Sequence, residues 1–211
     1  DCVSGACVYD LKEKKTLYSQ VLDPGIVKKL MEFGMEEGAM IHVLSERSIV
    51  QKDQQSHMAD FHMGIYQTMF DQITDKLENI YNSFCEEPFP VLKLNLYHRD
   101  EASRARTVER IKAASLETAL ALAESTSLEC SAKGIDKGVG LKKLCEHLGL
   151  PLEQTIAVGD ADNDTMALKT AGLAVAMGNA TEPIKALADV IVADCDHNGC
   201  AEAIDKYLLA D

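Results

Sequence analysis

Three aspartates and an asparagine crowd one short turn, Gly159-Asp160-Ala161-Asp162-Asn163-Asp164. The apolar segment 155–158 before it predicts a buried strand. Asp160 is therefore expected at the carboxyl end of that strand, where open parallel sheets bind ligands. Carboxylates this close repel unless a positive group lies between them. A hard divalent cation such as Mg²⁺ takes such oxygen ligands together with substrate phosphate, and Asn163 offers an amide donor to a phosphate oxygen. The alternative is a turn that only caps the next helix.

Lys137 is the second candidate for this chemistry. It lies in Lys133-Gly134-Ile135-Asp136-Lys137-Gly138, directly before a predicted helix, and the glycines permit close approach of the backbone. A lysine at such a helix start can reach a phosphate or hold a carboxylate nucleophile. The alternative is an ordinary exposed lysine, which is the usual fate of this residue type.

The elements around these residues alternate between helix and strand. Predicted helices cover 137–148, 165–171, 182–188 and 201–209, and predicted strands cover 155–158, 173–177 and 190–192. Strict alternation with apolar strands is typical of a parallel sheet covered by helices on both faces. The sequence therefore predicts a doubly wound α/β unit over 133–211, and we expect residues 1–15 to join its sheet.

The middle of the chain follows a different order. Strands are predicted at 40–44, 48–51, 91–97, 118–124 and 127–131, with helices from Asp23-Pro24, over 73–84 and over 101–114. Segment 52–70 has no clean periodicity. This α+β pattern predicts a second unit over 16–132, inserted between the two parts of the first.

Composition and charge limit the classes of partner and the cellular location that we expect. The 211 residues carry a formal charge of −13, which argues against nucleic acid and anionic membranes as partners. No apolar run approaches the roughly 20 residues of a spanning helix. Seven scattered cysteines without a CxxC pair favour reduced thiols and a cytoplasmic location.

Together these motifs resemble a known family. The lysine segment 133–138, the aspartate turn 159–164 and Ala176-Met177-Gly178-Asn179-Ala180 are similar in order and spacing to the haloacid dehalogenase (HAD) superfamily. Within it, the resemblance is to Cof-type phosphatases, which carry a type IIB α+β cap. Ser4-Gly5-Ala6 resembles the Asn-Gly-Ala segment between the first half of their core and the cap.

The resemblance implies a fold, a reaction and a set of roles. The fold is a HAD-like core with an inserted cap. The reaction is Mg²⁺-dependent hydrolysis of a small phosphorylated metabolite through a phosphoaspartyl intermediate. The implied catalytic residues are Lys137, Asp160 and Asp164; the implied metal ligands are Asp160 and Asp164; and the implied phosphate-binding residues are Lys137, Asn163, Asn179 and Ser4.

The chain also departs from the family pattern. The Asp-x-Asp-Gly-Thr motif that carries the nucleophile and the acid/base is absent from the 211 residues, as is the second-motif Thr or Ser, and Ser4 stands where Asn is usual. We expect both motifs upstream of Asp1. The chain is then a fragment that is inactive alone.

Two further function classes remain open. A non-catalytic interaction fragment would expose strand edges of an incomplete core and self-associate. A calcium site is the other alternative, because Asp194, Asp196, Asn198 and Gly199 occupy EF-hand positions with Asp205 at position twelve. His57, Asp60 and His62 are expected to be surface residues.

One basic cluster is an alternative site for an anionic substrate. Its members are Arg99, Arg104, Arg106 and Arg110. A solvated helix face is the default interpretation of such a cluster.

Overall fold

The computed structural model describes residues 2–209. The chain divides into two compact units, the first formed by Asp1–Tyr18 with Ile135–Asp211 and the second by Ser19–Gly134. The sequence prediction put these boundaries after residues 15 and 132, and its outermost positions, 1, 210 and 211, lie outside the described residues.

Strands and helices are numbered in chain order. The strands are β1 (Cys7–Asp10), β2 (Lys15–Ser19), β3 (Met40–Leu44), β4 (Ser48–Gln51), β5 (Thr74–Leu77), β6 (Lys93–Tyr97), β7 (Thr118–Ala123), β8 (Ser127–Ala132), β9 (Ile156–Gly159), β10 (Leu173–Ala176) and β11 (Val190–Ile191). The helices are α1 (Pro24–Glu36), α2 (Lys52–Gln55), α3 (Gln67–Ile73), α4 (Ile80–Glu86), α5 (Glu101–Ala113), α6 (Lys137–Leu148), α7 (Thr165–Thr170), α8 (Glu182–Lys185) and α9 (Gly199–Tyr207).

The first unit contains a parallel sheet in the order β11-β10-β9. Its central strand β10 is buried on both faces: Ala174 and Ala176 pack with Leu168 of α7 and Ile184 of α8, whereas Val175 packs with Ala203 of α9. The alternation of helix and strand thus gives a sheet covered on both sides, as predicted.

Two predictions for this sheet were wrong. Segment 155–158 was expected to be buried, but Val158 is 38% exposed because β9 has a neighbouring strand on one side only among residues 2–209. Residues 2–15, the described part of segment 1–15, do not join the sheet; β1 instead pairs with β2 as a separate two-stranded ribbon. The local reason is a tight reversal, in which the Asp10 carboxylate accepts hydrogen bonds from the backbone amides of Lys12 and Glu13.

The second unit is built on a six-stranded sheet in the order β5-β4-β3-β6-β8-β7. β4 and β5 pair in parallel and the other pairs are antiparallel. Strand alternation places one row of apolar side chains on a single face. That row forms the core with buried residues of α1, α4 and α5: Ile41, Val43, Leu94, Leu96, Leu128, Leu30, Met31, Phe84 and Ile111.

The opposite face of this sheet is covered differently. Segment 52–70, left unassigned from the sequence, forms α2, two 3₁₀ turns and the start of α3. Its Met58, Phe61 and Phe70 pack on Met40 and Tyr97. The polar side chain of His42 shares this face and contacts the rings of Phe70 and Tyr97.

The helix predicted over 73–84 was wrong in its first half. Residues Thr74–Leu77 form β5, which pairs with β4, and α4 begins only at Ile80. The Asn79 side chain accepts a hydrogen bond from the Asn82 amide and so caps that start.

Candidate functional site

Lys137 is the first residue of α6, as the sequence predicts. Asp136 caps the helix by accepting a hydrogen bond from the Val139 amide at 3.0 Å. Gly138 brings α6 against α7, since a Cβ at this position would lie 2.6 Å from the Met166 carbonyl oxygen. The helix that carries the lysine therefore contacts the helix that follows the aspartate turn.

Asp164 connects Lys137 to that turn. Its Oδ1 accepts a hydrogen bond from the Lys137 Nζ at 2.5 Å, and its Oδ2 accepts from the backbone amides of Asp160 at 3.0 Å and Ala161 at 3.3 Å. The carboxylate folds back over Gly159, where a Cβ would lie 2.5 Å from the Cβ of Asp164. A glycine at the end of β9 is thus a steric requirement of this turn.

The charge state of Asp164 follows from these contacts. Burial raises the pKa of its carboxyl, but the Lys137 hydrogen bond and the amides of Asp160 and Ala161 lower it, and the net pKa lies below the ordinary value. Asp164 is therefore ionised at neutral pH and forms an ion pair with Lys137.

Asp160 and Asn179 come from neighbouring strand ends. The Asn179 Nδ2 donates to the Asp160 Oδ2 at 3.2 Å, and the Asn179 Oδ1 accepts from the Cys195 amide at 3.0 Å. The two loops are also joined through the backbone, because the Met177 amide donates to the Gly159 carbonyl at 3.0 Å. Both side chains lie at the carboxyl ends of β9 and β10, where parallel sheets bind ligands.

Ser4 and Asn163 lie in segments that adjoin these groups. The turn Val3–Gly5 packs on the start of α6: Gly5 has a φ of +92°, and a Cβ there would meet the Asp136 carbonyl oxygen at 1.8 Å. Asn163 is half-buried in the 3₁₀ turn Asp162–Asp164. The fold thus joins Lys137, Asp160, Asp164 and Asn179 by hydrogen bonds. Contacts of Ser4 and Asn163 with a ligand stay a prediction.

Metal ligation is a separate question from this clustering. Among residues 2–209, no three His, Cys, Asp or Glu side chains converge as a group that could hold a metal ion. Both carboxylate oxygens of Asp164 already accept hydrogen bonds, Oδ1 from the Lys137 Nζ and Oδ2 from the Asp160 amide. Asp160 is exposed, and an exposed carboxylate suits a hard cation that keeps several waters. Asp160 therefore fits a magnesium ligand better than Asp164 does, and ligation by either stays a prediction.

The segment considered for calcium has a different local structure. β11 precedes it where an EF-hand has a helix, and α9 begins at Gly199, position six of the pattern, where an EF-hand still has loop. The Asp194 carboxylate accepts hydrogen bonds from the Asp196 amide and the His197 ring, so it caps a 3₁₀ turn. The helix–loop–helix that the calcium alternative needs is not formed here.

The other charged clusters are engaged within the protein. Arg106 and Arg110 pair with Glu37 at 2.7 and 3.2 Å, and Arg99 pairs with Asp60 at 3.1 Å. His62 contacts the Arg99 carbonyl oxygen through a ring nitrogen at 2.9 Å. Arg104 donates a hydrogen bond to the Glu124 carbonyl at 3.3 Å. Three of the four arginines are therefore paired with carboxylates, as expected for a solvated helix face.

Sequence reasoning missed one polar cluster, in the second unit. His42, Asn95 and Tyr97 form a buried hydrogen-bonded group on β3 and β6. Period-two alternation in 91–97 puts Asn95 and Tyr97 on one face of their strand, but it does not indicate that His42 lies beside them.

Comparison with known proteins identifies the class. The family model for haloacid dehalogenase-like hydrolases matches residues 2–204, so the chain belongs to that family, as the motifs predict. Its fold resembles a haloacid dehalogenase-like hydrolase from B. subtilis, with a TM-score of 0.82 and 22% identity over 97% of this chain and 78% of that one. The HAD subclass IIB sugar phosphatase BT4131 gives a TM-score of 0.79 and 20% identity over 98% of this chain and 74% of that chain.

Curated relatives match shorter stretches. Phosphatase YwpJ of Bacillus subtilis (strain 168) is 46% identical over 83 residues, which is 39% of this chain and 29% of YwpJ. The 5-amino-6-(5-phospho-D-ribitylamino)uracil phosphatase YcsE of the same organism is 36% identical over 118 residues, 56% of this chain and 47% of YcsE. The chain thus spans less than half the length of either relative. No helix within residues 2–209 has the length and apolar character needed to cross a membrane.

Proposed function

We propose that this chain provides the cap and the lysine–aspartate part of the core of a phosphatase that hydrolyses a small phosphomonoester. The first unit is then the core and the second unit the type IIB cap. The observation that carries the proposal is the Lys137–Asp164 ion pair, held on the Asp160 turn at the carboxyl end of a parallel sheet. Phosphatase activity in the names of YwpJ and YcsE supports the same class.

Each side chain has a proposed role. The Lys137 ammonium binds the transferring phosphoryl group, and Asp164 orients that ammonium. Asn179 orients the Asp160 carboxylate, and Asn163 and Ser4 donate hydrogen bonds to phosphate oxygens. Asp160, with Asp164 beside it, would hold Mg²⁺. The cation would neutralise charge on the phosphate, which is how phosphoryl transfer is chiefly catalysed.

The nucleophile is proposed to be an aspartate outside this sequence. Its carboxylate would attack phosphorus and break the bond to the ester oxygen, and the second aspartate of the same motif would protonate that oxygen to give the alcohol. Water, deprotonated by that second aspartate, would then cleave the acyl phosphate to regenerate the nucleophile and release inorganic phosphate. Asp160-Ala161-Asp162 is not followed by Gly-Thr, and the Asp160 turn is engaged with Asp164 and Asn179. We therefore propose that the 211-residue chain has no turnover by itself.

The test compares two proteins: the 211-residue chain and the product of the complete reading frame that encodes it. Both are assayed with p-nitrophenyl phosphate and MgCl₂. We expect activity only in the longer product, with kcat lowered at least ~100-fold by Lys137→Met or Asp160→Asn, the scale for removing a group that stabilises the transition state. Asp162→Asn, an exposed change in the same turn, is the matched control.

Two results would contradict this function. Robust hydrolysis by the 211-residue chain, abolished by Asp160→Asn, would show that no further nucleophile is needed. Full activity of Lys137→Met in the longer product would show that Lys137 does not take part in catalysis.

Location and partners are also proposals. All seven cysteines are free thiols, which supports a reducing, cytoplasmic setting. The net charge of −13 supports a small phosphorylated metabolite over nucleic acid or an anionic membrane as the ligand.

Self-association is a second candidate. It is favoured by the edge of β9, which pairs on one side only among residues 2–209, and by Val158, which is exposed there. Sedimentation of the 211-residue chain over a range of concentrations tests it. A constant monomer mass would exclude it.

A further inference from the structure

Two cysteines lie opposite each other at the start of the first unit. Cys2 and Cys7 form an isolated antiparallel bridge and exchange both backbone hydrogen bonds. The Cys2 amide donates to the Cys7 carbonyl at 2.7 Å, and the Cys7 amide donates to the Cys2 carbonyl at 3.2 Å. In a pair of this kind the Cα atoms lie about 5.5 Å apart, which is within the ~4.4–6.8 Å that a disulfide spans. The backbone therefore holds the two thiols within reach of a covalent bond.

The two thiols differ in their accessibility to solvent. Cys2 is exposed, whereas Cys7 is only 8% exposed. Burial, and then the nearby Cys2 thiol, raise the pKa of Cys7, so Cys7 is protonated at neutral pH. An oxidant in solution therefore meets Cys2 first, and Cys7 is shielded until its partner has reacted.

The turn between the two cysteines has a strained backbone. Val3, Ser4 and Gly5 have φ values of +54°, +54° and +92°. Left-handed backbone is unfavourable for a β-branched residue such as Val3, and such conformations persist only where the surroundings hold them. Here the Cys2–Cys7 bridge closes the turn, and Gly5 packs on the start of α6. A covalent bond at the bridge would fix the turn against that helix.

We propose that Cys2 and Cys7 form a reversible disulfide, a modification site that locks the Val3–Gly5 turn against α6. The oxidant is a small-molecule disulfide of the glutathione type. Directly opposite Cβ atoms lie about 4.5–5.5 Å apart in a strand pair, and a disulfide draws them to about 3.5–4.5 Å. A bond that has to draw its ends together is reduced more easily, which is typical of regulatory disulfides in a reducing compartment.

The reaction proceeds in two exchange steps. The Cys2 thiolate attacks one sulfur of glutathione disulfide, forms a mixed disulfide and releases one glutathione thiolate, which takes up a proton. Cys7 then loses its proton, and its thiolate attacks the Cys2 Sγ and releases the second glutathione. Two cysteine thiols are thus oxidised while one glutathione disulfide is reduced to two thiols. Under the proposed function the locked turn is the one that carries Ser4, but the disulfide itself requires neither turnover nor metal.

The 211-residue chain contains a matched internal control. Cys195 and Cys200 are also five residues apart and both are exposed, but Cys195 begins a 3₁₀ turn and Cys200 lies in α9. These two are therefore not opposite each other in a strand pair. Trypsin, which cleaves after lysine and arginine, leaves each cysteine pair alone on its own peptide, residues 1–12 and residues 186–206. One digest compares two pairs of equal separation.

The test treats the 211-residue chain with millimolar glutathione disulfide, alkylates the remaining thiols and analyses the digest by mass spectrometry. We expect an internal disulfide in peptide 1–12 at least ~10-fold more often than in peptide 186–206, and dithiothreitol should reverse it. In concentrated urea the preference should vanish, because the two loops then have the same length. Oxidation should also slow hydrogen exchange of the Cys7 amide at least ~10-fold, because the bridge can no longer open.

Three substitutions identify the order of the steps. Cys7→Ser should leave Cys2 as a mixed disulfide with glutathione. Cys2→Ser, an exposed change, should leave the buried Cys7 unmodified. Cys200→Ser is the control, and it should form the Cys2–Cys7 disulfide as the wild type does.

Four results would overturn the proposal. They are equal internal disulfide in the two peptides, a preference for peptide 1–12 that persists in urea, glutathione adducts alone on Cys2 of the wild-type chain, and unchanged exchange of the Cys7 amide after oxidation. None of these measurements uses phosphatase activity, so failure of the disulfide and failure of the proposed function are distinguishable.

Discussion

Replacing Asp164 with alanine removes one acceptor group that serves three donors. The Lys137 pair is partly exposed, with side-chain exposures of 31% and 12%, so its loss costs about 1–2 kcal/mol. The amides of Asp160 and Ala161 lose their acceptor at about 1 kcal/mol each. We expect the free energy of unfolding to fall by about 3–4 kcal/mol in total.

Urea denaturation measures this change, and amide hydrogen exchange locates it. The Asp160 and Ala161 amides should exchange at least ~10-fold faster in Asp164→Ala, because their acceptor is gone. Asp162→Asn, in the same turn but exposed, should change the free energy of unfolding by no more than about 0.5 kcal/mol. Equal exchange rates in wild type and Asp164→Ala would show that the Asp164 carboxylate does not hold the Asp160 and Ala161 amides.

The pH dependence of a second variant, Asp164→Asn, has a defined sign. The pKa of Asp164 is lowered in the folded state, so its stabilisation is present above the unfolded value of about 3.9 and is lost as pH falls through the folded pKa. The stability difference between wild type and Asp164→Asn should therefore shrink in acid. A difference that grew on acidification would contradict the ion pair.

Three further changes test other parts of the structure. Gly138→Ala should destabilise the chain by about 1–3 kcal/mol in urea titration, because the new Cβ meets the Met166 carbonyl; an unchanged midpoint would contradict that contact. His42→Gln should flatten the stability profile between pH 4 and 6.5, where the lowered pKa makes wild type lose about 3 kcal/mol on acidification; parallel profiles would contradict a neutral buried imidazole. Phe84→Ala should cost about 3–5 kcal/mol, because the ring is fully buried and packs edge-on against Phe89; a loss below 1 kcal/mol in thermal or urea unfolding would place Phe84 outside the core.

The bounds of α6, and so the position of Lys137 at its start, could be predicted from residues close in sequence. Asp136 caps the start of the helix, and Gly149 ends it with a φ of +66°, so both bounds are encoded within a few residues. Five of the six strands of the second unit, all except β5, were also predicted from the sequence, because they are short apolar segments that alternate or lie between turn signals. The aspartates follow a predicted strand directly, so the sequence indicated that they lie at the carboxyl end of that strand.

Non-local pairing explains what sequence reasoning missed. β5 is four residues long and pairs in parallel with β4 from a distant part of the chain, so its pattern merged with the following helix. The fold-back of Asp164 onto two backbone amides is equally hidden, because three nearby carboxylates indicate a metal as readily as a lysine partner. The buried group around His42 required the register of β3 against β6, which no local pattern contains.

Under the proposed function, in which Lys137 binds the phosphoryl group of a longer protein, the pairing of Lys137 with Asp164 also bears on how phosphate leaves. An ammonium group that already shares its charge with a buried carboxylate attracts an arriving dianion less strongly than a solitary one, and it returns to the same carboxylate after the anion departs. Product escape limits the speed of many enzymes. Because the pair with Asp164 weakens the hold of Lys137 on phosphate, the product would leave faster than from an unpaired lysine.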